Sequence, residues 1–179
     1  MAAGATIYTF TGQLADVDRG VYDDIDLRVA RHPSETDAFM LTRVLAYLLE
    51  FEEGIAFGGG IAVADEPAVL VRDLTGAITA WIEVGAPDAA RLHSGSMRAA
   101  RTAVYTHRDP AKLVAAWTGK RLHRADEIRV IGFDPGFLDD AAARVQRRNA
   151  VTASITERRL YLEVNGAVSE SGLHERTAG

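Results

Sequence analysis

"EPAVLVRDLTGAITAWIEVG", residues 66–85, decides the fold. Two runs of strand-forming residues flank "DLTG", the pattern of two strands joined by a tight turn. With Leu74 and Thr75 as a two-residue loop, Asp73 pairs with Gly76 and Glu66 with Glu83. Val69, Val71, Ile78, Ala80, Ile82 and Val84 then share one apolar face; Glu66, Ala68, Leu70, Arg72, Thr79, Trp81 and Glu83 share the other. A one-residue slip would mix the two sets. The register sets the Cβ atoms of Glu66 and Glu83 ~4.5–5.5 Å apart. Carboxylates that close repel unless a cation lies between them, and Mg²⁺ or Mn²⁺ is held by one or two carboxylates with waters completing the shell. A Glu66 just outside the strand would instead splay into solvent, and the spacing leaves both readings open. Asp73, roughly 20 Å along the ribbon from Glu83, serves as a turn-opening residue.

Working outward, residues 5–15 and 21–31 each alternate and form a hairpin through "DVDRG". "HPSETD" starts a helix, with Ser34 as N-cap and Leu41, Val44, Leu45 and Leu48 as its buried stripe. "GGG" at 58–60 reads as flexible. Helices are expected over about 88–100, 110–118 and 136–147, and strands at 102–106 and 128–133. A hairpin over 150–156 and 159–164 turns at Glu157–Arg158. The chain reads as one domain over 1–165, with 166–179 a flexible tail.

The chain has 179 residues and no cysteine, which excludes a disulfide framework and a Cys-based zinc site and fits a cytoplasmic protein. No apolar run is long enough for a membrane helix. The net charge of −5 hides an asymmetry. Residues 1–90 carry fifteen acids and five arginines, whereas residues 91–124 carry eight Lys/Arg against the single acid Asp109. Such a basic segment suits a phosphate backbone; it also reads as an ordinary solvated helix face. Glu50, Glu52 and Glu53 are expected to face water. No phosphate-binding loop, HExxH pair or GxSxG elbow is present.

Six ordered blocks carry a resemblance: "ATIY" at 5–8, "ARHPSET" at 30–36, "DEP" at 65–67, "DLTG" at 73–76, "WIEVGAPD" at 81–88 and "VYTH" at 104–107. The chain resembles the YaeQ family from about residue 4 to 165. The resemblance implies an α/β fold, an α+β roll with a mixed β-sheet flanked by helices. It further implies a restriction-endonuclease-like core with N-terminal and C-terminal β-hairpins, related to the PD-(D/E)XK nucleases. In that superfamily a helix Glu, a strand acid and a hairpin-partner (Asp/Glu)-x-Lys hold Mg²⁺, and the lysine supports the attacking water.

The matching positions here are Glu35, Glu66 or Asp65, and Glu83. The departure is Gly85, which stands where the lysine belongs; Arg91 is the nearest cation in the following helix and the candidate phosphate clamp. The readings carried forward are a divalent-metal-dependent nuclease or phosphodiesterase, with Glu83, Glu66 and Arg91 catalytic and Glu35, Asp65, Glu66 and Glu83 as ligands for Mg²⁺ or Mn²⁺. The alternatives are a non-catalytic nucleic-acid-binding domain using residues 91–124, and a protein-interaction module.

Overall fold

The computed structural model describes residues 4–59, 63 and 65–179. In chain order the first elements are β1 (Thr6–Asp16), β2 (Val21–Arg31), α1 (Asp37–Leu49), β3 (Ile55–Phe57), β4 (Val69–Arg72), β5 (Ile78–Val84) and α2 (Ala89–Ser96). There follow β6 (Arg101–Tyr105), α3 (Pro110–Trp117), β7 (Arg129–Gly132) and α4 (Phe137–Ala142). The chain ends with β8 (Arg148–Thr156), β9 (Arg159–Val164), β10 (Ala167–Gly172) and β11 (His174–Thr177). Two compact units result: Met1–Val44 with Phe133–Leu173, and Leu45–Gly132 with His174–Gly179.

The first unit is built on a mixed sheet in the order β10-β9-β8-β1-β2. The N-terminal hairpin pairs Thr6 with Arg31 and Asp16 with Val21, and β8 runs parallel to β1. The expected N-terminal and C-terminal hairpins are thus present, joined edge to edge in one sheet. Strand alternation explains its two faces: Phe10, Leu14, Ile25, Leu27, Val29, Val151, Ala153, Ile155, Leu160 and Leu162 are buried, while Thr11, Gln13, Asp24 and Asp26 are exposed. Glu157 and Arg158 turn the β8–β9 hairpin with φ of 51° and 60°. The Asp18 carboxylate accepts from both of their N–H groups, at 2.7 and 2.9 Å.

The second unit holds a mixed sheet in the order β11-β7-β6-β5-β4-β3, with β5, β6 and β7 parallel. Parallel strands need crossovers, and α2 and α3 supply them. Leu92 of α2 and Leu113 and Trp117 of α3 pack on Val104 and Val130, with Ile128 and Ala178 closing the cluster.

Three expectations are corrected. The segment 166–179 is not a loose tail: β10 extends the first sheet and β11 pairs with β7, Glu175 facing Ile131. Two sheets replace the single mixed sheet expected. The hairpin register also differs. Val69 faces Ile82, Leu70 faces Trp81 and Val71 faces Ala80, with a shift before Arg72 meets Ile78. A slip by two residues preserves both faces, so hydrophobic alternation is blind to it. The turn makes the choice: Asp73 Oδ1 accepts from the N–H groups of Thr75 and Ala77, at 2.8 and 3.1 Å, opening a loop longer than two residues. Consequently Glu66 lies outside β4 and is not opposite Glu83.

Candidate functional site

The site is built where α2 crosses the sheet of the second unit. Trp81 and Glu83 point to the same face of β5, in register with Thr102 and Val104 of β6. Asp88 caps α2 by accepting from the Arg91 N–H at 2.7 Å. Gly95 then lies against Trp81, where a Cβ would meet the indole Nε1 at 2.3 Å. This close approach leaves Glu83 4% exposed beneath the helix.

Glu83 Oε1 receives two donors: the Trp81 indole N–H at 2.7 Å and Arg91 Nε at 2.9 Å. Among the described residues no donor reaches Oε2. Burial pushes the Glu83 carboxyl above its ordinary 4.5, and the Arg91 charge opposes this without cancelling it. The same guanidinium donates from Nη2 to the Glu66 main-chain carbonyl at 2.7 Å. The stretch around Glu66 is therefore brought to Glu83, with arginine between them.

The remaining candidates are placed differently. The Glu66 carboxylate accepts from the Gly59 N–H at 2.8 Å and lies 3.9 Å from Arg72. Asp65 is exposed, and its carbonyl accepts from Arg98 at 3.3 Å. Glu35 belongs to the first unit, ahead of α1 instead of in its first turn. Thr36, not Ser34, caps the helix, accepting from the Phe39 N–H at 3.0 Å, while the Ser34 hydroxyl contacts His32 Nδ1 at 2.7 Å. The Glu35 carboxylate is buried against Arg43, with Nη2–Oε2 at 2.8 Å. Gly85 ends β5 with φ of 92° and donates its N–H to the Tyr105 carbonyl at 2.8 Å. A lysine would be strained in that left-handed conformation.

Among the described residues, no group of three or more His, Asp or Glu is arranged to hold a metal ion. A divalent ion placed beside Glu83 and the Glu66 carbonyl would lie within about 4 Å of the Arg91 charge. Two charges against one at that distance repel by about 8 kcal/mol at an effective dielectric constant of about 20. The donor set as arranged does not fit Mg²⁺ or Mn²⁺.

The basic segment divides in two. Arg91, Arg101 and Arg124 are engaged with Glu83, with Glu50 and Glu52, and with Glu127. Arg98, Arg108, Lys112, Lys120 and Arg121 are exposed, and among the described residues none forms an ion pair. They lie on α3 and on the turns that follow α2, β6 and α3.

One buried cluster departs from the sequence reading. Glu50 does not face water: it is 5% exposed and accepts from the Tyr105 hydroxyl at 2.7 Å, from Arg129 at 2.9 Å, and from Arg101. Burial and the Glu50 charge hold the Tyr105 phenol well above its usual range. The signal was the alternation of β6, which gives Arg101 and Tyr105 one face.

The YaeQ protein family matches residues 1–172. The YaeQ protein of Escherichia coli K12 is 40% identical over 111 residues, which span 62% of this chain and 61% of that relative's length. The Salmonella typhi YaeQ protein is 30% identical over 165 residues, 90% of each chain. Crystal structures of YaeQ proteins from Pseudomonas syringae and Xanthomonas axonopodis pv. citri superimpose with a TM-score of 0.87 each. They are 32% and 29% identical and cover 99% and 98% of this chain, and 99% of their own. The family match runs through both units of the chain, and the two crystal structures superimpose over nearly its whole length: the chain belongs to the YaeQ family.

Proposed function

We propose that this protein binds nucleic acid through its phosphate backbone without hydrolysing it. The observation that carries the reading is the Arg91 bridge from Glu83 Oε1 to the Glu66 carbonyl, which fills the place of a catalytic cation with a fixed charge. Gly85 adds to it, since no ammonium can act from that position. The five exposed cations from Arg98 to Arg121, which form no ion pair among the described residues, supply the phosphate contacts.

Fluorescence anisotropy with labelled single- and double-stranded DNA and RNA in EDTA tests the proposal. Binding weakens steeply with salt, and Lys112→Ala, Lys120→Ala and Arg121→Ala each lower the log–log salt slope by about 1. A flat salt response, or no binding at low salt, refutes it. The second reading, a Mg²⁺- or Mn²⁺-dependent phosphodiesterase, is favoured by the solvent-accessible Glu66 side chain, whose main chain already adjoins Arg91. It predicts strand cleavage on adding either ion, abolished by Glu83→Gln.

A further inference from the structure

We infer that the free edge of β2 is an interface for a second copy of this chain, which pairs antiparallel about Leu27 and continues the sheet of the first unit across a twofold axis. The inference goes beyond the nucleic-acid reading and draws on no residue of the basic segment.

β2 ends the sheet order β10-β9-β8-β1-β2, so only β1 pairs with it. It runs 11 residues, Val21–Arg31, with no proline, no lysine and no break of register along β1. Natural edges are ordinarily blunted by such features. Thr9 of β1 donates its N–H to the Arg147 carbonyl, and its carbonyl accepts from Asn149, both on the β8 side. Arg28, opposite Thr9, therefore turns its own N–H and carbonyl away from β1, and alternation does the same at Asp26 and Ala30. The Ala30 carbonyl accepts from Arg43 at 2.8 Å, and the Asp24 N–H donates to Asp23 Oδ1 at 2.7 Å. Between these closed ends, the edge-facing main-chain groups of Asp26 and Arg28 have no partner among the described residues.

Charge selects the occupant and its register. Asp26 and Arg28 are exposed, lie opposite Thr11 and Thr9, and form no ion pair among the described residues. With Leu27 on the twofold axis, Asp26 faces the partner's Arg28, and Arg28 faces the partner's Asp26. Each is a hydrogen-bonded pair with Cα atoms ~5.5 Å apart, close enough for the opposite charges to meet. On the other face Ile25 meets the partner's Val29 and Leu27 meets its own copy, so the apolar sides stay aligned. Sliding the partner by two residues either way, the smallest slip that keeps the faces, sets Asp26 against Asp26 or Arg28 against Arg28. The segment is thus complementary to itself, the condition a twofold interface imposes.

Sedimentation velocity over a concentration series tests this with wild type, Asp26→Arg, Arg28→Asp and the charge-swapped Asp26→Arg/Arg28→Asp. Wild type dimerises. Each single variant sets like charges together on both sides of the axis and weakens dimerisation at least about tenfold. The double variant restores it, as does an equimolar mixture of the two single variants, whose edges complement each other. The exchanged side chains are exposed, so the variants keep the fold, which circular dichroism checks. Residue-resolved hydrogen exchange on wild type needs no variant: the Asp26 and Arg28 amides gain protection as concentration rises. A wild type that stays monomeric up to about 1 mM overturns the inference, and is the result expected if a strand of another protein fills the edge. Single variants that dimerise as tightly as wild type overturn it too, since the copies then meet through another surface. A charge swap that restores nothing overturns the register. None of these substitutions touches a residue proposed to contact nucleic acid, so sedimentation and anisotropy fail independently.

Discussion

At Glu83 two opposing effects meet in one side chain. Removal from water raises its pKa, and the Arg91 charge with the Trp81 and Arg91 hydrogen bonds lowers it; burial wins. The folded state therefore binds the Glu83 proton more tightly than the unfolded chain does. That contribution to stability is fully present below pH 4.5 and is lost as pH rises through the elevated folded value. Denaturant melts at stepped pH will show wild type losing stability relative to Glu83→Gln across the interval just above pH 4.5. A pH-independent difference between the two proteins would contradict this. Glu35 is also buried, against Arg43, which donates in addition to the Ala30 carbonyl at 2.8 Å.

At the scale of elements, close approach and turn chemistry decide more than propensity. Replacing a helical glycine with alanine ordinarily gains about 1 kcal/mol. At Gly95 the new methyl would stand 2.3 Å from the indole of a Trp81 that is 2% exposed and tied to Glu83. Overpacking of this kind costs about 1–3 kcal/mol, so Gly95→Ala lowers net stability despite the better helix former. Chemical denaturation followed by tryptophan fluorescence measures it; a stabilised variant would show that α2 moves away freely.

The β8–β9 turn is the reverse case. Glu157 and Arg158 both hold left-handed backbones, which cost about 1–2 kcal/mol each for residues with a Cβ. Glu157→Asn with Arg158→Gly suits the turn and keeps both N–H donors to Asp18, so a gain of about 1 kcal/mol is expected in the same melts.

Across the whole molecule, the last strand is structural. β11 pairs with β7, Glu175 binds Arg129 at 2.6 Å, and Ala178 is buried in the cluster of Trp117 and Ile128. Arg129 in turn reaches Glu50, which also holds Arg101 and Tyr105. Ending the chain at Leu173 removes these contacts together. Hydrogen exchange should then show lost protection of the β7 amides from Arg129 to Gly132, and unchanged protection there would mean the strand is dispensable. No helix among the described residues is long and apolar enough to cross a membrane.

The sequence by itself determined the elements other than β3, β10 and β11, and the faces of its hairpin strands. The alternations of β1 and β2, the apolar runs of β4 and β5, the stripe of α1 and the Glu157–Arg158 turn are local, and each follows from side-chain period or backbone stereochemistry. The six motif blocks carried the family. Tertiary structure decided what local pattern cannot encode. A register slip of two leaves every face unchanged, so only the Asp73 hydrogen bonds moved Glu66 away from Glu83. Residues 166–179 are polar, and their strands form because neighbouring strands offer unpaired backbone groups. The partners of three buried acids, Arg43 for Glu35, Arg91 for Glu83, and Arg101 with Arg129 for Glu50, are set by elements distant in the chain or by the course of a helix. Those pairings place a cation against each carboxylate, and at Glu83 burial still outweighs it.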